Sequence, residues 1–300
     1  MKKIVVGSRE SRLAMIQSMT LVNHLRSAHP EMRVELVTMK TTGDVILDRT
    51  LDKVGGKGLF VKELDAALLD RRIDLAVHCV KDMPMALTEG TAALCYSRRE
   101  DPRDALVLPE GVKALKKAPV LGTSSLRRAL QLKKLFPDCE IKTVRGNVLT
   151  RLKKLDAGQF DALVLAAAGL KRLGLEGRIS RLFEPDEIIP AAGQGILAVQ
   201  GRAGEDCPEL SGYADRDAML CALCERAFVR TLDGGCTSPV CAHARVQGDA
   251  ISVRALYWSP DTGWDPVTGE IRIGTDRGAA AEAEAIGIRL ANRLREEVAP

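Results

Sequence analysis

The sequence predicts the α/β class: two similar α/β domains around a cleft, followed by a small α+β domain. Three observations carry that reading. Short apolar runs alternate with helical patterns up to Gln200, which implies largely parallel sheets. The order of those pieces occurs twice. Val5-Val6-Gly7-Ser8 answers to Val120-Leu121-Gly122-Thr123, and the stretch Leu69 to Asp74 answers to the stretch Leu155 to Asp161. After about residue 215 the pattern changes to one helix, several strands and an Ala-rich closing helix.

The bulk composition agrees. Three hundred residues leave room for two or three domains. A hydrophobic fraction of 46% with 28% charged residues is ordinary for a globular chain, and 3% aromatic content puts the cores on Ala, Val, Leu and Ile. The net charge of +4 is nearly balanced, and no basic run is long enough to track a phosphate backbone, so no nucleic-acid partner is expected. No apolar stretch approaches the ~18 residues of a membrane span, and the N-terminal apolar run is shorter than a secretory core of about 7–15. No membrane partner and a cytoplasmic location are therefore expected. Eight cysteines at irregular spacing then read as reduced thiols.

Taken in order, Ile4-Val5-Val6 is a strand and Gly7 to Ser11 a tight turn. A helix follows with Leu13, Ala14, Ile16, Gln17, Leu21, Val22 and Leu25 at helical spacing, and Ser8 or Ser11 is its candidate N-cap. Val34 to Thr38 alternates as a strand. A glycine-rich charged segment, Asp52 to Phe60, precedes a helical pattern ending at Leu69. Ile73 to His78 is a buried strand running into Val80-Lys81-Asp82-Met83-Pro84. The second round has a strand at Val120-Leu121, a turn at Gly122 to Ser125, and a helix with Leu126, Ala129, Leu130, Leu132 and Leu135. Glu140 to Val144 is a strand, Leu149 to Leu155 a helix, and Phe160 to Leu165 the matching strand. Ile196 to Gln200 is a further strand that can return to the first domain. The expected boundaries are 1–95 with 190–214, 96–189, and 215–300.

Candidate chemistry gathers where strands end. Two helix starts carry hydroxyls and arginines: Ser8, Arg9, Ser11 and Arg12 in the first, Thr123, Ser124, Ser125, Arg127 and Arg128 in the second. A helix N-terminus offers unpaired N–H groups, and arginine adds bidentate recognition of carboxylates. Arginine there opposes the helix dipole, so an anionic ligand or plain solvation must explain it. Arg145, Arg151, Lys171 and Arg172 recur after later strands, at the edge where ligands bind open parallel sheets. No P-loop or complete dinucleotide fingerprint is present. Asp82, just past a strand end, is the acid/base candidate, against a turn-capping role. His78 reads as a core histidine.

The stretch Thr231 to Pro239 places Cys236 after Gly234 and Gly235. Both glycines tolerate φ > 0, and Pro239 blocks a continuing helix. A thiol on such a turn can be an attachment point, a nucleophile, a metal ligand or inert. Cys221 and Cys224 with Cys236 and Cys241 raise zinc, but three-residue spacing on an apolar helix face is core spacing, so no metal is expected.

Seven segments then occur in one order: Gly7 to Ala14, Gly55 to Phe60, Val77 to Pro84, Gly122 to Arg128, Arg145 to Arg151, Ala191 to Gly195, and Leu232 to Cys236. Together they closely resemble the porphobilinogen deaminase family, the hydroxymethylbilane synthases. The resemblance covers residues 4 to about 245 well and the rest loosely. It implies two periplasmic-binding-protein-like domains facing a cleft and a third carrying a cysteine loop. It also implies a monomeric transferase of tetrapyrrole biosynthesis that condenses four porphobilinogen molecules head to tail with loss of ammonia. The cofactor it implies is a dipyrromethane, built from substrate and held by a thioether at the position of Cys236. Asp82 matches the catalytic carboxylate, and with Lys81, Ser125, Arg127 and Arg128 it matches cofactor-contacting positions. Arg9, Ser11, Arg145, Arg151 and Arg172 match positions that bind acetate and propionate groups. Lys53, Lys57 and Phe60 match a mobile loop near 43–60. Arg12 departs from the family pattern, which has proline there, and is expected to face solvent. The rival expectations are a two-domain binding or sensor module for a small acid, without catalysis, and a zinc module.

Overall fold

The structure is a computed structural model that describes residues 2–41, 61–234, 239–258, 267–274 and 280–298. It divides into two compact units, Met1–Arg99 with Ile196–Met219, and Glu100–Gly195 with Leu220–Pro300.

The first unit is built on β1 (Lys3–Arg9), α1 (Arg12–Ala28), β2 (Arg33–Met39), α2 (Lys62–Leu69), β3 (Leu75–Cys79), β4 (Thr91–Tyr96) and the returning β10 (Leu197–Arg202). Its five strands stand in the order β2-β1-β3-β10-β4. Alternation on β1 explains the layers. Ile4 and Val6 join Leu21, Val22 and Leu25 of α1, while Val5 turns toward the cluster of Leu64, Ala67, Leu68 and Ile73 around α2. The sheet is thus covered on both faces, as buried parallel strands require.

The second unit repeats the plan with β5 (Asp104–Val107), β6 (Val120–Gly122), α3 (Leu126–Leu135), β7 (Glu140–Lys142), α4 (Val148–Asp156), β8 (Ala162–Ala166), α5 (Ala167–Arg172) and β9 (Arg181–Phe183). The order is β7-β6-β8-β5-β9, the first sheet's order with each strand replaced by its counterpart. The repeat extends to atoms. Asp74 accepts a hydrogen bond from Val5 N (2.8 Å) and its own N–H donates back to Val5 O (2.8 Å). Asp161 does the same to Val120, at 2.9 Å each way. Two residues on, a Cβ at Gly7 would lie 2.4 Å from Ile73 Cδ1, and one at Gly122 would lie 2.4 Å from Leu163 Cδ2 and 2.8 Å from Phe160 Cδ1. Glycine is required at both because a neighbouring side chain occupies the Cβ space.

The sheets differ from expectation in being mixed. β1 is parallel to β2 and β3, and β6 to β7 and β8, but β10 is antiparallel to β3 and β4, and β5 to β8 and β9. A parallel neighbour needs a crossover element. β5 and β10 each enter their sheet from outside its βαβ run, so no crossover sets their direction.

The second unit also holds α6 (Arg216–Thr231) from Leu220 onward, the antiparallel β11 (Cys241–Gln247), β12 (Ala250–Tyr257) and β13 (Val267–Gly274), and α7 (Ala280–Val298). A Cβ at Gly287 of α7 would come within 2.1 Å of the Cys224 carbonyl oxygen, so glycine permits close approach of α6 and α7. Cys221 and Cys224 are buried on that face, the core role their spacing predicts. Among the described residues no group of three His, Cys, Asp or Glu is placed to hold a metal ion, and no helix is long and apolar enough to cross a membrane.

Candidate functional site

Parallel strands end at one edge of a sheet, and in each unit the predicted site residues follow those ends. In the first unit Arg9 closes β1, and Ser11 caps α1 by accepting a hydrogen bond from Ala14 N at 3.3 Å. Ser11 is therefore the cap, while Ser8 is buried in the strand. Arg12 is exposed. After β3 the chain makes a single 3-10 turn, Val80–Asp82, fixed by Val80 N donating to Ile196 O (3.1 Å) and Met83 N to Val80 O (3.2 Å). The turn leaves Asp82 exposed and Lys81 half-buried. Beneath it His78 is buried. Burial first, then the charge of Arg9, lowers its pKa to about 4, against weaker opposing effects of Gln200 and Asp82. His78 is thus a neutral strand residue at ordinary pH.

In the second unit Ser125 caps α3, accepting from Arg128 N at 3.4 Å, and Thr123 Oγ1 accepts from Ser125 N at 3.2 Å. The two arginines on the first turn of α3 are buried, Arg127 at 4% and Arg128 at 7% exposure. Both converge on Asp104, which is 0% exposed. Arg127 Nη1 donates to Asp104 Oδ2 (2.7 Å) and to Ile189 O (2.7 Å). Arg128 Nε and Nη2 donate to Asp104 Oδ1 (3.0 and 2.7 Å), and its Nη1 donates to Val164 O (2.9 Å). Gln194 Nε2 adds a bond to Asp104 Oδ1 at 3.0 Å and another to Pro102 O at 2.6 Å. Burial alone would raise the Asp104 pKa, but the charges and hydrogen bonds of the two guanidinium groups overcome it and hold the carboxyl well below the usual range.

Arg151 and Arg172 are fastened to backbone carbonyls, and the Arg145 main chain is held by Lys154. Gly146 sits at φ +106, and a Cβ there would meet Thr150 Cγ2 at 2.7 Å. Only glycine suits the turn that lets Asn147 cap α4 through Thr150 N at 2.9 Å. Arg151 Nε then donates to Gly146 O (2.8 Å), and Arg145 O accepts from Lys154 Nζ (3.2 Å). Arg172, the last residue of α5, donates to Gly195 O at 2.7 Å.

At the end of α6, Asp233 N donates to Arg230 O (3.2 Å) and Gly234 N to Val229 O (2.9 Å). This is a Schellman closure with Asp233, at φ 51, in the left-handed position. Gly234 serves by its size instead: a Cβ there would be 2.8 Å from Val229 Cγ1 and 3.0 Å from Val229 O. Cys236 and Gly235 lie outside the described residues, as do Lys53, Lys57 and Phe60.

The structure brings Arg127 and Arg128 together on one carboxylate. It places Ser125 at the cap of the same helix, and Arg145, Arg151 and Arg172 after β7 and β8. Asp104, Gln194 and the Ile189 carbonyl were not singled out by sequence. Gln194 fell within the motif Ala191 to Gly195 without a role of its own, and nothing local marks Asp104 until α3 packs above it.

The sequence model of a family described as "Porphobilinogen deaminase, dipyromethane cofactor binding domain" matches residues 4–208, and its "C-terminal domain" model matches 219–296. A porphobilinogen deaminase of Alkaliphilus oremlandii is 50% identical over 295 residues, 98% of this chain and 97% of the relative. One from Ruminiclostridium cellulolyticum is 54% identical over 263 residues, 88% of this chain and 89% of the relative. Among solved structures, an effector binding domain of BenM with benzoate matches at TM-score 0.42 and 17% identity, over 70% of this chain and 87% of the other. The periplasmic aliphatic sulphonate binding protein SsuA of Escherichia coli matches at TM-score 0.41 and 12% identity, over 99% of this chain and 88% of the other.

Proposed function

The chain belongs to the porphobilinogen deaminase family, and from that premise we propose how its residues divide the work. It is a hydroxymethylbilane synthase, a transferase that condenses porphobilinogen head to tail with loss of ammonia in tetrapyrrole biosynthesis. A small-acid binding module without catalysis is not favoured by that membership.

The cofactor of the family is a dipyrromethane, and the residues present fit a polycarboxylate. The observation that carries this is Arg127. Its side chain is only 5% exposed, yet its hydrogen bonds run through Nη1 alone, and Nε and Nη2 have no partner among the described residues. With Arg128 beside it and one aspartate between them, the cluster keeps a net positive charge that a ligand carboxylate would complete. Bound, the cofactor supplies the pyrrole end to which substrate is joined.

Cys236 holds the cofactor through its sulfur. Lys81, Asp82, Ser125, Arg127 and Arg128 contact it, and Arg9, Ser11, Arg145, Arg151 and Arg172 take the acetate and propionate groups of the growing chain. Asp82 faces the positive charge that develops as ammonia leaves the aminomethyl group of porphobilinogen. Its carboxylate would hold the proton that bond formation releases and return it to the next departing amine. The site residues sit on three domains, 1–95 with 190–214, 96–189, and 215–300, and the protein acts as a cytoplasmic monomer without a nucleic-acid or membrane partner.

Intact mass of the denatured active enzyme tests the covalent assignment. An adduct lost in Cys236→Ser is expected, together with colour from Ehrlich's reagent, and an unmodified mass in a fully active preparation would remove it.

A further inference from the structure

We propose that Asp104 is a positioning residue for cofactor capture, holding Arg127 and Arg128 so that the Nε–Nη2 edge of Arg127 stays open to a carboxylate. The inference rests on the reading above, that Arg127 binds the cofactor.

The geometry is specific. Asp104 is the first residue of β5, opposite Ala166 at the end of β8, so it stands at the sheet edge where α3 begins. Each carboxylate oxygen has its own arginine: Oδ2 takes Nη1 of Arg127, and Oδ1 takes Nε and Nη2 of Arg128. Arg128 is thereby gripped through Nε and Nη2, so what it offers the cofactor is its charge, whereas Arg127 is gripped by one amino group only. Two more contacts hold the frame. Gln194 orients Oδ1. Gln131 takes both polar groups of Ile189, accepting from its N–H at 2.7 Å and donating to its carbonyl at 3.3 Å, which presents that carbonyl to Arg127. An arginine pair with no anion between its members would splay under mutual repulsion. With Asp104 in place it is set before any ligand arrives, and little ordering entropy remains to be lost on binding.

The test measures the adduct-bearing fraction by intact mass in full-length chains expressed under one condition, with thermal melts beside it. Asp104→Asn is isosteric and should lower that fraction about tenfold, while the loaded molecules keep the wild-type KM for porphobilinogen. Wild-type loading in Asp104→Asn would overturn the proposal, as would a KM that rises in step with the loss of loading. Should Asp104→Asn fail to fold, the pair Arg128→Met and Asp104→Asn/Arg128→Met decides. The double variant keeps the cluster's net charge. Asp104 still grips Arg127 in the single variant and not in the double, so the single must load several-fold better. Equal loading overturns the proposal. Arg127→Met is the control on the underlying reading: normal loading there would refute cofactor binding by Arg127, whatever Asp104 does.

Discussion

The first and second sheets share a frame and differ at its edge. Aligned by their caps and strand registers, Leu13 and Ala14 on α1 stand where Arg127 and Arg128 stand on α3, and Leu197 of β10 stands where Asp104 stands on β5. His78 of β3 answers to Leu165 of β8, and Asp82 answers to Gly169. The glycine and aspartate clamps are retained in both. The frame is therefore held by features internal to the sheet, and the strand-end positions are left to carry different chemistry. One copy carries an exposed carboxylate over a buried histidine, and the other a buried ion cluster.

The largest expected effect breaks that asymmetry at Asp82. Asp82→Ala should lower turnover at least about 100-fold with an unchanged melt, since the side chain is exposed. Near-normal turnover in a steady-state ammonia assay would move the acid/base role elsewhere. Next comes copying the first sheet's residues into the second. The triple variant Asp104→Leu/Arg127→Leu/Arg128→Ala should fold, because buried ion clusters are commonly replaceable by apolar groups, and it should lose the covalent adduct. Retained adduct would mean that the cluster only fills space.

Third is the histidine-linked part of acid sensitivity, expected in the first unit, on top of the carboxylate-linked loss that Asp104 brings to the second. An unfolded histidine protonates near 6.5, whereas buried His78 resists protonation until about 4. Between those values the unfolded chain binds more protons. Stability is thus intact above pH 6.5 and falls as pH drops toward 4, by up to about 3 kcal/mol. Denaturant melts should show this slope in the wild type and a shallower one in His78→Leu, the second sheet's residue. Identical slopes would mean His78 does not carry it.

Fourth, Gly7→Ala and Gly122→Ala should destabilise alike, by about 1–3 kcal/mol each. A large difference would show that the two frames are not equivalent. The smallest effect belongs to Asp74→Asn and Asp161→Asn, about 1 kcal/mol each, read in the same melts.

Much of this was legible in the chain. The repeat could be read because a strand, a glycine, a hydroxyl cap and a helix are consecutive, so their signal is local. Ser11 could be named as a cap candidate and Cys224 as core for the same reason. The parallel character was over-read, since strand direction for β5 and β10 depends on where the chain re-enters a sheet. Between Asp233 and Gly234, the left-handed residue is Asp233, because the end of α6 sets the closure and Gly234 is needed for clearance.

By itself, the sequence determined the α/β class, the internal repeat, the arginines at strand ends, Asp82 as the candidate acid/base group and the family. These depend on residue type and short spacing. Only the tertiary structure decided that Arg127 and Arg128 share Asp104 and that Gln194 and Ile189 complete their cage. Asp104 and Arg127 are 23 residues apart in sequence, and Gln194 is 90 from Asp104. Hydrogen bonds over such separations exist only after strands have paired and a helix has closed over their ends, and no local pattern encodes them.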